Sequence, residues 1–221
     1  MLQTTTAAAV VKTYGVVLAR RRAVFARLPD IMLQPGRSLA LLGPSGSGKT
    51  TALMALAGVY PPASGRIEIA ETDLWALGAH ARDRFRGQRI GLVFQSFHLV
   101  DALTVGGNLA LASTCAGLPP DRERISRLLQ RLDLQSVRDK RADRISHGQA
   151  QRVAVLRALV NKPALVLADE PTSALDDENA SALLRLLKET SSEAGAALVV
   201  ASHDKRVIGE VDTVVHIERA S

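Results

Sequence analysis

The chain has 221 residues, 47% of them hydrophobic and 3% aromatic, with a single cysteine and a formal charge of +6. That length supports one well-buried domain with room for a smaller subdomain, and is too short for two full domains. Cys115 alone excludes an intramolecular disulfide and is expected as a free, buried thiol, and no apolar run approaches the ~20 residues that span a bilayer.

The opening MLQTTTAAAVVK lacks the charged, apolar, then small order of a signal peptide, so a reduced, cytoplasmic compartment is expected. The excess charge is mostly arginine, scattered except at Arg20–Arg22, with almost no aromatic residues between for base stacking. A solvated basic surface is expected, and a nucleic-acid partner is not.

In chain order, short apolar strands alternate with helical stretches, which predicts an α/β protein built on a largely parallel sheet. Before Pro35, the segments Val10–Tyr14, Val24–Leu28 and Ile31–Leu33 read as a small antiparallel β region with Arg20–Arg22 at a turn. Ser38–Gly43 reads as a buried strand, and Lys49–Gly58 as a helix stopped by its glycine. Between Ala102 and Arg144 the chain becomes helical, and Asp121–Leu132 carries Ile125, Leu128, Leu129 and Leu132 on one face. This region, residues 102–144, reads as an α-helical insertion in a single domain spanning residues 1–221, and it continues into a helix reaching about residue 160. A second buried strand, Ala164–Glu170, opens after Pro163; the amphipathic helix Ala180–Gly195 follows, with Leu183, Leu186 and Leu187 on one face. Ala196–Asp204 and Thr213–Ile217 read as the last two strands.

GPSGSGKT, Gly43 to Thr50, lies between a predicted strand and a predicted helix and fills the G-x-x-x-x-G-K-[ST] pattern. Glycines let successive backbone N–H groups converge on phosphate oxygens, and the helix N-terminus adds the positive end of its dipole. Gly43, Pro44, Ser45, Gly46, Ser47, Gly48, Lys49, Thr50 and Thr51 are therefore the candidate ATP-binding residues. Lys49 is expected to reach the β- and γ-phosphates, and the Thr50 hydroxyl to hold Mg²⁺. Asp169 and Glu170 end a buried strand on the side where open α/β sheets bind ligands. Asp169 is expected to hold the metal, and Glu170 to polarise the attacking water as general base. Ser202, His203 and Asp204 suggest a hydrolase triad only superficially, because neighbours on a strand face opposite ways. His203 is expected instead as a donor to the γ-phosphate or to the water.

Several phosphate-loop families, nucleotide kinases among them, fit those motifs. Taken together with VFQ at Gln95, ISHGQ at Ile145–Gln149 and SALD at Ser173–Asp176, they resemble the ATP-binding-cassette (ABC) ATPase family over the whole chain. ISHGQ resembles that family's signature loop, with the family's signature helix after it. The resemblance implies two cassettes stacked head to tail, each ATP lying between one chain's phosphate loop and the other's signature loop. It places Ser146, His147, Gly148 and Gln149 on ATP in trans, Ser173, Ala174, Leu175 and Asp176 along the dimer seam, Gln95 at Mg²⁺ and the lytic water, and Tyr14 against adenine. His147 departs from the family, which usually has glycine there. No second histidine or cysteine lies at ligand spacing, which argues against a metal at His147.

The resemblance further implies a separate integral-membrane permease, docked near Gln95–Leu111, with this chain peripheral on the inner face of the cell membrane. The run IGLVFQSFHLVDALTV is similar to the subclass serving lipoprotein release, macrolide export or cell-division complexes. The rivals are a soluble phosphotransferase needing a small acceptor, against which ISHGQ argues, and an ABC ATPase acting in translation or DNA repair. The latter usually joins two cassettes or carries a long coiled coil, and neither is present.

Overall fold

The computed structural model describes residues 8–21, 23–173 and 175–217. Two five-stranded sheets organise it. The antiparallel sheet holds β1 (Val11–Arg20), β2 (Ala23–Leu28) and β3 (Met32–Leu33), joined by β5 (Ser64–Ile69) and β6 (Thr72–Asp73). The second sheet is parallel, with β10 (Thr213–His216), β4 (Ser38–Leu42), β9 (Ala197–Ser202), β8 (Leu165–Asp169) and β7 (Ile90–Phe94) in that order. Every residue of β4 and β9 is buried, the continuous apolar run expected of strands covered on both faces. β1 alternates instead, burying Val11, Thr13, Val16 and Leu18.

Among the described residues six α-helices flank the sheets: α1 (Lys49–Leu56), α2 (Ala79–Arg89), α3 (Val105–Cys115), α4 (Arg122–Arg131), α5 (His147–Leu159) and α6 (Asp177–Glu193). α1 packs between the two sheets, with Leu53 and Leu56 in one core beside Leu18, Ile67, Leu41 and Leu167. α5 and α6 cover the other face of the parallel sheet, where Val155 and Leu187 meet Val166 and Val200. A third cluster joins α3 and α4 to α5 through Leu109, Leu129, Leu134 and Leu156. Polar ties close these joints. The Arg124 guanidinium donates to the Leu159 and Val160 carbonyls, capping α5 from α4. Asn161 Nδ2 donates to the Gly87 and Ala112 carbonyls, binding α2 and α3 to the end of α5.

The structure corrects several expectations. β1 extends to Arg20, well past Tyr14, and pairs with β5, some fifty residues downstream, so the antiparallel region does not end at Pro35. β5 was not expected, although an alternation with Ile67 and Ile69 buried and Arg66 and Glu68 less so stands in SGRIEI. α2 has no buried residue, so it carried no apolar stripe to read. Cys115 is exposed rather than buried, because α3 turns Val105 and Leu109 inward and ends on its outer side. Arg22 of the expected basic turn lies outside the described residues.

Candidate nucleotide site

Parallel pairing brings four strand ends to one edge. Phe94 is level with Asp169, Asp169 with Ala201, and Ser202 with Leu42. Gly43–Gly48 leaves β4 at this edge and turns into α1. Two of its glycines are required by the packing. A Cβ on Gly43 would meet the Ile217 carbonyl at 2.4 Å and Ser47 Oγ at 2.6 Å, and Gly48 stands at φ +98° with Ala26 against it. Gly48 is the N-cap of α1 and supplies no side-chain cap, so the first-turn N–H groups of the helix remain open to an acceptor. Ser47 Oγ is buried and has no hydrogen-bond partner among the described residues. A buried hydroxyl and orphan amides at a helix N-terminus are the donors a phosphate satisfies.

Lys49 is buried, with Nζ donating to the Gly43 and Pro44 carbonyls at 2.8 and 3.1 Å. Its ammonium also lies 3.6 Å from Glu170 Oε1. The Thr50 hydroxyl donates to Asp169 Oδ1 at 3.1 Å. Burial pushes the Asp169 carboxyl above the ordinary carboxylate range; the Thr50 hydrogen bond and Lys49 oppose this, and Glu170 adds to it. An under-solvated carboxylate beside a hydroxyl is a hard-oxygen pair that a divalent cation relieves. Among the described residues no group of three or more histidine, cysteine and acidic side chains is placed to hold a metal. A Mg²⁺ here would therefore complete its shell with phosphate oxygens and water, which is the usual habit of that ion.

Glu170 occupies a left-handed conformation, φ +45°, at the end of β8, and its N–H donates to the Ala201 carbonyl at 2.9 Å. Its carboxylate is held on two sides. Oε2 accepts from Ser202 Oγ at 3.2 Å and from the His203 N–H at 3.4 Å, and lies 2.9 Å from His203 Nδ1; Oε1 faces Lys49. Ser202 thus supports Glu170 and forms no triad with His203, as its strand position requires. Gln95 is exposed, one residue beyond β7, at the same sheet edge.

Sequence reasoning missed a second layer of polar residues. Arg206 binds Asp204 and Asp177 at 2.6 Å each and the Leu175 carbonyl at 3.4 Å, and the Thr172 hydroxyl donates to Asp204 at 3.2 Å. Burial raises the Asp204 carboxyl, but the hydrogen bonds from Arg206 and Thr172 outweigh it and hold the group below the ordinary range. This cluster ties the segment after Glu170 to the turn carrying His203. Ser173 donates from N and Oγ to the Glu170 carbonyl, and Asp176 caps α6 by accepting from Asn179 N at 2.9 Å. Ala174 lies outside the described residues.

Two expected groups make no hydrogen bond or ion pair to the phosphate loop among the described residues. Tyr14 is 42% exposed on β1, opposite Arg66, where the register against β5 shifts. It does not line the cavity of about 700 Å³ beside the loop, which is formed by Arg20, Ala23, Val24, Phe25, Gly46, Thr51 and Tyr60. The ring against the loop is that of Phe25, whose Cε2 would stand 3.2 Å from a Cβ on Gly48. Ser146 caps α5 in a reciprocal box. Its hydroxyl accepts from Gln149 N at 3.3 Å, and Gln149 Oε1 accepts from Ser146 N at 3.0 Å. No hydrogen bond or ion pair among the described residues joins Ser146–Gln149 to the phosphate loop. This second helix N-terminus is exposed at Ser146, His147 and Gly148.

Residues 29–173 match the family described as ABC transporter. The chain is 37% identical over 191 residues to the lipoprotein-releasing system ATP-binding protein LolD of Pseudomonas fluorescens, covering 86% of this chain and 84% of that one. It is also 37% identical over 202 residues to the methionine import ATP-binding protein MetN of Bordetella avium, with 90% of this chain covered and 55% of the relative. Among solved structures, cbiO1 of Clostridium perfringens, part of the ABC transporter complex cbiONQ, superimposes with a TM-score of 0.85 at 28% identity over 96% of this chain and 85% of that one. The dimeric cassette MJ0796, in a post-hydrolysis state bound to ADP and Pi, matches with a TM-score of 0.78 at 29% identity over 94% of both chains. The phosphate loop, the acidic strand end and these likenesses agree: the chain belongs to the ABC transporter family, as an ATP-binding and ATP-hydrolysing subunit.

Proposed function

We propose that the chain hydrolyses ATP at two composite sites in a head-to-tail dimer of itself and thereby drives a separate membrane permease. The observation that carries this reading is the placement of Glu170, its carboxylate between Lys49 and His203 at the edge where the phosphate loop leaves the sheet. The phosphate loop, with Ser45, Gly46, Ser47, Lys49, Thr50 and Thr51, holds the phosphates. Lys49 exchanges its loop carbonyls and Glu170 for the β- and γ-oxygens. Thr50, Asp169 and Gln95 hold Mg²⁺, which supplies charge neutralisation at the phosphates. Glu170 accepts the proton of the attacking water, while the backbone N–H of His203 helps hold the carboxylate and its ring donates toward the γ-phosphate. The base enters the cavity beside the loop, where Phe25 offers a ring, and Tyr14 is the ring that the family resemblance sets against adenine.

Ser146, the backbone of His147, Gly148 and Gln149 complete the partner's site. The exposed N-terminus of α5 supports this reading, because a helix N-terminus attracts an anion and no bond among the described residues ties this one to the chain's own phosphate loop. Ser173, Ala174, Leu175 and Asp176 run along the seam. The whole chain acts as one ATPase unit with residues 102–144 as its helical insertion. The permease docks after Gln95, where Val100 and Leu111 are exposed apolar residues and Leu99 packs partly against the α3–α5 cluster. Among the described residues no helix is long and apolar enough to cross a membrane. Attachment to the inner face is by way of the permease. The LolD relatives support the lipoprotein-release subclass.

Complementation tests the head-to-tail arrangement. Lys49→Ala and Ser146→Arg proteins should each be inactive alone. Mixed, they should regain a substantial fraction of wild-type turnover, because one site of the mixed dimer then pairs an intact Lys49 with an intact Ser146. A mixture as inactive as its components would refute the composite site.

A further inference from the structure

We infer that His147 is a positioning residue that couples the two nucleotide sites of the dimer through its contact with Phe97. The inference rests on the head-to-tail reading above. His147 is the first residue of α5, between the cap Ser146 and Gly148. Its ring centroid lies 4.9 Å from that of Phe97, with the planes tilted at 56°, the geometry of an aromatic pair. Phe97 stands two residues after Gln95, in the loop that serves the chain's own nucleotide. The adjoining positions therefore divide. The side chain at His147 turns to its own Gln95 loop, whereas a Cβ on Gly148 would meet nothing within 4 Å.

The rest of α5 already grips the same loop. Arg157 donates to the Phe97 carbonyl at 2.7 Å and also to the His98 carbonyl. Gly91 of β7 lets the helix so close that a Cβ there would stand 2.2 Å from the Ala158 carbonyl. These contacts hold the loop to the C-terminal half of α5. The His147–Phe97 pair extends the grip to the N-terminal end, where the partner's nucleotide binds. A glycine at this position would leave that end unlinked. With histidine, a shift of the α5 N-terminus on closing over the partner's ATP carries Phe97, and with it Gln95, toward the chain's own ATP. Linkage makes the effect reciprocal. A ring pair of this kind supports a coupling of about three- to tenfold, and tenfold coupling between two sites gives a Hill coefficient of about 1.5.

The test is the ATP dependence of hydrolysis, with molar mass by light scattering in Mg²⁺-ATP, for wild type, His147→Gly, His147→Phe, Phe97→Leu and the double variant His147→Gly/Phe97→Leu. Wild type should be cooperative. His147→Gly and Phe97→Leu should each weaken the coupling three- to tenfold and move the coefficient toward 1, and the double variant should lose no more than either alone. His147→Phe, which keeps a ring on Phe97, should retain the wild-type coefficient. The inference is overturned if wild type is non-cooperative, if His147→Gly dimerises and keeps the wild-type coefficient, or if His147→Phe behaves as His147→Gly. Failure of every protein to dimerise would instead overturn the head-to-tail reading, and this inference with it.

Discussion

Replacing Glu170 by glutamine isolates proton acceptance from everything else the residue does. The side chain keeps its length, and glutamine tolerates φ +45° as well as glutamate does. One oxygen still accepts from the Ser202 hydroxyl and the His203 backbone N–H, whose donors stand 3.2 and 3.4 Å from Oε2. What disappears is the negative charge and the ability to take a proton from water. Loss of a general base costs about 10²- to 10⁴-fold in rate, or about 3–5 kcal/mol in the barrier. Binding should move the other way. Lys49 lies 3.6 Å from Oε1, so removing the carboxylate frees its charge for phosphate and leaves ATP affinity unchanged or tighter. Steady-state phosphate release and equilibrium nucleotide binding on one preparation give both numbers. Turnover within about tenfold of wild type would refute the assignment of Glu170 as base.

Other expectations follow from the same contacts. Lys49→Ala should weaken ATP binding by at least about a hundredfold, because the phosphates lose a buried ammonium and the Gly43 and Pro44 carbonyls lose their donor; equilibrium binding checks it. Asp212 accepts from Ser38 N and Ser38 Oγ and pairs with Lys188 at 3.0 Å. Burial raises its carboxyl, but Lys188 and Ser38 outweigh that and hold it below the ordinary range. The stability it contributes is therefore present above the unfolded carboxylate value, about pH 4, and lost as pH falls through the lower folded value. Asp212→Asn should lower the urea midpoint more at pH 7 than at pH 3, and an equal shift at both would contradict this. Gly91→Ala should destabilise by about 1–3 kcal/mol, because the new methyl meets backbone on α5, and an unshifted urea midpoint would show that the helix yields freely.

The legible parts of the molecule were those whose chemistry is local. A phosphate loop needs its glycines, lysine and threonine in one run, and strand ends such as Leu165–Asp169 announce themselves by continuous burial. Ser146 and Gln149 spell out a capping box three residues apart. What the sequence hid depends on partners brought together only by folding. Arg206 reaches Asp177 across 29 positions, and Phe97 meets His147 across 50; neither pair leaves a periodic or motif signal. The surroundings of Tyr14 were hidden for a similar reason, since the register shift between β1 and β5 is set by pairing with a strand that begins at Ser64. Cys115 illustrates a weaker rule. Cysteine is usually buried, but the face of α3 is decided by Val105 and Leu109.

The central claim is that ATP joins two copies of this chain, each supplying half of each site. The most direct measurement is the molar mass of the Glu170→Gln protein by light scattering, with and without Mg²⁺-ATP. The account predicts a monomer that becomes a dimer only with nucleotide, and that reverts to monomer when Ser146→Arg is added to Glu170→Gln. A protein that binds ATP with full occupancy and stays monomeric, or a dimer indifferent to Ser146→Arg, would contradict it.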